Sequence, residues 1–189
     1  MLGTLLVITG CMFSGKSEEL LRLLRRERIA RRKVQLFKPK MDNRYNASKK
    51  VVTHNLSALK ATPIKSPNEI LRYIDQDTDV VGIDEVQFFG SEIVDVCDRL
   101  IQMGIKVICA GLKQDFKGKL FGSMDKLLIM ADYITSLTAI CNVCGAEATM
   151  TQRLINGEPA PYDAPQVLVG GVEAYQAHCK KHHVVPKKP

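Results

Sequence analysis

Leu5-Leu6-Val7-Ile8-Thr9-Gly10-Cys11-Met12-Phe13-Ser14-Gly15-Lys16-Ser17 carries two local signals side by side. Leu5 to Thr9 is a short apolar run with β-branched residues, the pattern of a buried strand. Gly10 to Ser17 fits G-x-x-x-x-G-K-[ST], the phosphate-cradling P-loop template. After it, Leu20, Leu21, Leu23 and Leu24 fall among Glu and Arg, which predicts a helix from Lys16 to about Ala30. Strand, glycine loop, helix is the context the template requires. Gly10 and Gly15 lack a Cβ, so the backbone can curl tightly round a phosphate. The loop N–H groups and the helix N-terminus then point at the anion. Lys16 reaches the outer phosphates, and the Ser17 hydroxyl is a ligand for Mg2+.

Downstream, Val34 to Phe37 reads as a strand and Lys38 to Ala47 as a polar loop containing Asp42-Asn43-Arg44-Tyr45. Val51 to Thr53 suits another extended piece. Ile70, Leu71 and Ile74 predict a short helix that ends at the acidic turn from Asp75 to Asp79. Val80 to Asp84 is a buried, mostly β-branched strand. Ser91 is positioned as the N-cap of a helix from Glu92 to about Met103. Lys106 to Ala110 reads as a strand, Ser123 to Ala131 as a helix, and Ile134 to Ile140 as a last core strand. This alternation predicts an α/β fold: a P-loop parallel sheet flanked by helices. Ligands of such sheets sit beyond the carboxyl ends of the strands. Gly10, Asp84 and the Gly111 loop all fall at those ends, which gathers them into one cleft.

An acid closing a hydrophobic strand is the second half of a P-loop nucleotide site. Asp84 is expected to share Mg2+ with Ser17. Neighbouring strand residues point to opposite sides, so Glu85 is expected to turn away from Asp84 and face the acceptor, where a carboxylate can act as general base. The Asp-Glu pair does not separate a kinase from an ATPase, whose glutamate activates water instead.

Cys141-Asn142-Val143-Cys144 is C-x-x-C, and Cys179-Lys180-Lys181-His182 is C-x-x-H. Together they offer four soft ligands for a tetrahedral, structural Zn2+. Spacing favours His182 over His178 and His183. The metal would clamp both ends of the loop-rich, Pro/Gly-punctuated stretch between them, which has too little apolar content to fold alone. Cys11, Cys97 and Cys109 lie in or beside apolar stretches and read as small buried residues. The domain division is therefore 1–138 for the nucleotide-binding core, 139–185 for the small zinc-binding unit and 186–189 for a tail.

The chain has 189 residues, enough for one well-buried α/β domain and a small appendage. No apolar run approaches the roughly 20 residues needed to span a bilayer, and no signal-peptide pattern is evident, so a cytoplasmic setting with reduced thiols is expected. The net charge of +7 suits either nucleic acid or anionic nucleotides. Much of it is local, in Arg22, Arg25, Arg26, Arg28, Arg31, Arg32 and Lys33, which read first as a solvated helix face. A nucleic-acid-dependent P-loop ATPase is the alternative function. Against it, the chain is short for a helicase core. Aromatic residues are 6% with no Trp, so no base-stacking platform is visible. A non-enzymatic zinc-ribbon module on a degenerate nucleotide fold is opposed by the intact Lys16, Ser17, Asp84 and Glu85.

These residues resemble the type II, zinc-containing thymidine kinases. The match runs from Gly3 to about His183 and rests on G-C-M-F-S-G-K-S, F-K-P-K-x-D-N-R-Y, G-I-D-E-V-Q-F-F, A-G-L-x-x-D-F-x-x-x-x-F, I-C-N-V-C-G, and V-G-G-V-E-A-Y before C-x-x-H. The resemblance implies transfer of the ATP γ-phosphoryl to the 5′-hydroxyl of thymidine, with Glu85 as base and Lys16 and Arg44 as catalytic partners. Gly10 to Ser17, with Asp84, Glu85, Val86 and Gln87, would hold the nucleotide. Asp42 and Arg44 would lie near the reacting groups. Met12, Phe88, Leu112, Phe116 and Phe121 would surround the thymine ring. Thr151 and the chain Gln166, Val167, Leu168, Val169 and Gly170 would close over the base as a lasso, with Tyr175 contacting the nucleoside or buttressing the lasso. Cys11, Lys113 and Leu120 stand where the family usually has Pro, Asp and Pro. The resemblance also implies a homotetramer inhibited by thymidine triphosphate, and neither nucleic acid nor membrane as a partner.

Overall fold

A computed structural model describes residues 2–40, 59–166 and 173–187. Its centre is a six-stranded sheet: β1 (Leu5–Gly10), β2 (Val34–Pro39), β3 (Thr62–Ile64), β4 (Val80–Ile83), β5 (Lys106–Leu112) and β6 (Tyr133–Leu137), in the order β3-β2-β4-β5-β1-β6. Every pairing in it is parallel. Among the described residues, four α-helices connect the strands: α1 (Lys16–Ile29), α2 (Asn68–Tyr73), α3 (Glu92–Gln102) and α4 (Met124–Met130).

The period-two alternation of the strands divides the core in two. Leu5, Val7, Val81, Ile83, Val107 and Cys109 face one way and pack with Ile70 of α2, Ile93, Val96, Cys97 and Leu100 of α3, and Met124 and Leu127 of α4. Ile8, Val80, Ile108 and Ala110 face the other way and meet Leu20 and Leu24 of α1. The leucine stripe of the P-loop helix therefore covers one face alone. It lies so close that a Cβ on Gly82 would come within 2.6 Å of Leu24 Cδ1. The arginines of α1 stay outside: Arg22 bonds Glu19 at 2.6 Å, and Arg25 and Arg26 are exposed.

Beyond the sheet, β7 (Ala139–Ile140) pairs with β8 (Glu147–Ala148), and β9 (Met150–Ile155) lies between β10 (Glu158–Pro159) and β11 (Glu173–His178). All these pairings are antiparallel.

Several expected boundaries shift. β2 runs through Lys38 and Pro39, because β3, an edge strand that the sequence reading did not anticipate, pairs with Phe37 to Pro39. Residues 41–47 of the expected loop and the 51–53 extension lie outside the described residues. Gly111 and Leu112 belong to β5 rather than to a loop, since Gly10 of β1 pairs opposite Leu112. The expected last core strand is two strands in two sheets. Its first half, β6, is an edge with Tyr133 61% and Ile134 54% exposed. The stretch after Cys144 is more regular than its Pro and Gly content implied. β9 and β11 share a six-residue ladder from Met150↔His178 to Ile155↔Glu173. Ser91 makes no side-chain cap, because its own backbone is already helical at φ −59°, ψ −24°.

Candidate active site and metal centre

Three carboxyl ends lie side by side in the order β4, β5, β1. They deliver Asp84, Leu112 and the loop after Gly10 to one edge of the sheet. The loop is built from special backbone. Gly15 sits at φ 79° and Phe13 at φ 64°, both left-handed, and a Cβ on Gly10 would lie 2.4 Å from Ser14 Oγ. Ser14 Oγ donates to Cys11 O at 2.8 Å, and Lys16 Nζ donates to the same oxygen at 2.6 Å. The ammonium is thus folded back on the loop with 8% of the residue exposed. Burial lowers the Lys16 pKa, against the pull of Glu85, Cys11 and Asp84.

Ser17 Oγ donates to Asp84 Oδ1 at 3.1 Å. The helix start and the β4 acid therefore touch, as a shared cation site requires. Burial first, and then the charge of Glu85, push the Asp84 carboxyl up to about 6. A buried carboxyl against a hydroxyl offers the oxygen ligands that Mg2+ takes.

The raised pKa has a consequence for stability. A carboxyl raised in the fold stabilises fully below its unfolded value of 3.8, and that contribution is lost as pH rises through about 6. A shift of this size corresponds to about 3 kcal/mol at most. Asp84→Asn, which cannot ionise, should make the metal-free protein more resistant to urea at about pH 8, with the gap closing near pH 4. An equal gap at both pH values would refute the charge argument.

Glu85 and Asp84 have different side-chain partners, and strand alternation does not set them. β4 ends at Ile83, and Glu85 takes a left-handed turn at φ 51° that opens the 3₁₀ turn Val86–Phe88. Its N–H donates to Asp84 Oδ1 at 3.0 Å. Gln87, 2% exposed, holds it from the other side: Gln87 Nε2 donates to Glu85 Oε2 at 2.6 Å, while Gln87 Oε1 accepts from Leu112 N at 3.1 Å. Gln87 fits this slot because Gly111 and Gly122 leave it room. A Cβ on Gly122, at φ 57°, would lie 2.2 Å from Gln87 O. Gly122→Ala should therefore cost about 1–3 kcal/mol in thermal unfolding and lower turnover by displacing Gln87. A variant with wild-type melting and turnover would contradict this packing.

Phe88 and Phe121 meet edge to face with centroids 5.3 Å apart, and Leu112 closes β5, its N–H held by Gln87. Phe116 is 3% exposed and packs with Ala160 and Ala164 under the Arg153 guanidinium at 5.1 Å. Met12 N donates to Thr151 Oγ1 at 3.0 Å, and Tyr175 pairs opposite Arg153 on β11. Gln166 donates to Asp115 Oδ2 at 3.0 Å. Asp42, Arg44 and Val167 to Gly170 lie outside the described residues.

Two residues escaped the sequence reading. Asp115, 5% exposed, accepts the Lys117 and Lys119 N–H groups as well as Gln166. The aspartate before a Lys-Gly pair was a usable turn signal. Arg153, fully buried on β9, donates to Pro165 O at 2.5 Å. Nothing local marks it.

Cys141, Cys144, Cys179 and His182 bring their ligand atoms within 4.8 Å of one another. Cys144 Sγ lies 3.9 Å from Cys179 Sγ, and His182 Nδ1 lies 3.8 Å from Cys141 Sγ and 3.4 Å from Cys179 Sγ. Tetrahedral zinc with Zn–S near 2.3 Å and Zn–N near 2.0 Å needs ligand atoms about 3.5–3.8 Å apart. The donor set and spacing fit. His178 and His183 are engaged elsewhere, at 2.9 Å from His182 O and 2.8 Å from Phe116 O respectively. Burial opposes the Cys141 thiolate, but backbone N–H groups of Cys179, Val143 and Cys144 and the His182 ring bring that thiol down to about 5. A lowered pKa is what a metal-ligating cysteine needs.

A parallel sheet with a P-loop at its carboxyl edge and a Cys3His cluster beside it defines an α/β P-loop protein with a metal-binding appendage. The chain belongs to the thymidine kinase family, whose profile it matches over residues 3–183. Family membership makes it a kinase, and the family uses ATP. In fold, it is similar to the flagellar accessory protein FlaH from Methanocaldococcus jannaschii, with a TM-score of 0.51 and 16% identity over 77% of this chain and 75% of that one. Among the described residues, no helix is long and apolar enough to cross a membrane.

Proposed function

We propose that this protein transfers the ATP γ-phosphoryl group to the 5′-hydroxyl of thymidine, giving thymidine monophosphate. The supporting observation is the contact of Ser17 with Asp84 at 3.1 Å, with Glu85 tethered by Gln87. These contacts support assigning Asp84 to the phosphate side and Glu85 to the acceptor.

In this reading Gly10 to Ser17 bind the triphosphate through backbone N–H groups, and Lys16 leaves Cys11 O to reach the outer phosphates. Asp84 and Ser17 hold Mg2+, which neutralises phosphate charge when bound. Val86 forms part of the nucleotide side. Glu85 accepts the proton of the 5′-hydroxyl as that oxygen attacks the γ-phosphorus and the bond to the β-phosphate oxygen breaks, releasing ADP. Arg44 and Asp42 approach the reacting groups. Phe88, Leu112, Phe121, Met12 and Phe116 flank the base, and Thr151, Gln166 to Gly170 and Tyr175 close over it. Closure keeps water from the γ-phosphate.

Zinc in the Cys141, Cys144, Cys179 and His182 cluster is structural, since four protein ligands leave no open position. The division at about residue 138, a cytoplasmic location, a homotetramer and inhibition by thymidine triphosphate complete the proposal.

The test is phosphoryl transfer from Mg-ATP with thymidine, deoxycytidine, deoxyadenosine, single-stranded DNA or no acceptor. Thymidine monophosphate with little background hydrolysis is the expected result. ATP hydrolysis without nucleoside, stimulated by DNA, would replace this reading with the ATPase one.

A further inference from the structure

The phosphate-binding loop is fastened to a distant part of the chain. Cys11 Sγ donates to Ala148 O at 3.3 Å, and Thr151 Oγ1 accepts the Met12 N–H at 3.0 Å. The Cys11 side chain, 2% exposed, packs in one small apolar cluster with Ala139, Cys141, Ala148 and Ala177, and Cys179 lies against it. Cys141 and Cys179 are members of the metal cluster. The knuckle in turn grips β11: Asn142 N donates to Ala177 O at 2.9 Å, and Asn142 Oδ1 accepts from Ala177 N at 3.0 Å. Ala177 pairs across the ladder with Thr151. A short, packed path thus joins the metal ligands to the backbone N–H of Met12.

The loop needs such support. It holds left-handed backbone at both Phe13 and Gly15, and its Phe13 ring is 66% exposed, so little packing of its own secures it. Strained backbone persists only where its surroundings over-determine it. Cys11 is also the hub of the loop, since its carbonyl accepts both Ser14 Oγ and Lys16 Nζ.

We propose that Cys11 and Thr151 are positioning residues that latch the phosphate-binding loop onto the Cys141, Cys144, Cys179 and His182 knuckle, so that metal binding and nucleotide binding are coupled. The proposal rests on the reading of Gly10 to Ser17 as the ATP site. Metal holds Ala148 and Thr151 in place, and they hold the loop N–H groups in the geometry a triphosphate needs. Because coupling free energy is reciprocal, nucleotide must tighten zinc by the same factor by which zinc tightens nucleotide.

The experiment measures zinc affinity by competition with a zinc-selective chelator, with and without a saturating non-hydrolysable ATP analogue, and analogue affinity by calorimetry. The full-length wild type is compared with Thr151→Val, Thr151→Ser and Cys11→Ala. In the wild type the analogue should tighten zinc by about fivefold or more. Thr151→Val should weaken the analogue about five- to tenfold, the effect of one lost hydrogen bond, and shrink the zinc coupling. Thr151→Ser, which keeps the hydroxyl, should restore both. Cys11→Ala should shrink the coupling as well. A wild type that binds the analogue yet holds zinc equally with and without it overturns the proposal, and this comparison needs no variant to fold. A wild type that binds no analogue at all overturns the ATP-site reading, and the latch with it.

Discussion

Glu85→Gln should lower thymidine-dependent turnover by about 10²–10⁴-fold, the usual contribution of a general base, while ATP still binds. The substitution keeps shape and removes basicity. Gln87 Nε2 lies 2.6 Å from Glu85 Oε2, and an amide oxygen in that place accepts the same hydrogen bond. The left-handed backbone at Glu85 is no harder for Gln to adopt, so the turn into Val86–Phe88 survives. The change breaks no hydrogen bond of Ser17, Asp84 or the loop N–H groups, and it removes the charge by which Glu85 helps to raise the Asp84 carboxyl. Lys16→Ala is the informative contrast. It should be at least as damaging to turnover, because positioning and charge neutralisation supply most of phosphoryl-transfer catalysis. It should also weaken ATP itself, since it removes the cation nearest the outer phosphates. Single-turnover transfer and equilibrium ATP binding separate the two variants. Unchanged turnover in Glu85→Gln would remove Glu85 from the role of base. Lost ATP binding in that variant would move it to the nucleotide side instead.

The sequence exposed the parts of this site that depend on local chemistry. The P-loop template, the acid after an apolar strand and the paired cysteine motifs each need fixed residue types at fixed spacing, so they can be read without the fold. Strand identity followed from continuous apolar runs in the same way. What remained hidden depends on pairing across long separations. Lys38 and Pro39 became strand only because β3 lies beside them, and β3 is a three-residue edge with two exposed positions. β9 and β11 carry weak patterns, since β9 buries Thr151, Gln152 and Arg153 where a strand reading expects apolar residues. Those polar residues are tolerated because they are bonded. Gln152 Nε2 donates to Val184 O at 2.9 Å and Gln152 Oε1 accepts from Val184 N at 2.8 Å. The left-handed turn at Glu85 was invisible too. Only the Gln87 slot opened by Gly111 and Gly122 explains it, and those glycines lie far along the chain.

Stripping the metal, or replacing Cys179 with Ser, should unfold the small C-terminal unit while leaving the six-stranded sheet intact. The unit has little else to hold it. Its apolar cluster around the knuckle consists of alanines and cysteines, with Ala139, Ala148 and Ala177 as its buried aliphatic residues. Such side chains bury little area, and area sets the hydrophobic contribution, at roughly 25 cal/mol per Å². The β9–β11 ladder adds hydrogen bonds, each worth only about 1 kcal/mol net. Zinc in small knuckles contributes apparent free energies of about 10–16 kcal/mol, comparable with the whole stability of an ordinary domain. The larger core stands differently. Its two apolar layers, with α1 on one face and α2, α3 and α4 on the other, share few residues with the knuckle. Limited proteolysis of the chelated protein should therefore cut between 139 and 187 and leave a resistant fragment that begins before β1 and ends near β6. Urea unfolding of the chelated protein should show the transition of the sheet alone, with a smaller denaturant dependence than the zinc-loaded protein, because the small unit is already open. Cys179→Ser should bind less than one equivalent of zinc and show the same cleavage without chelator. If chelation also lowers the midpoint of the sheet's own transition and cleavage spreads into the sheet, the knuckle is part of the core's own cooperative unit and the boundary at about residue 138 is wrong. If chelation changes neither cleavage nor unfolding, the Cys3His cluster carries no structural metal, and the ladder between β9 and β11 must hold the unit by itself.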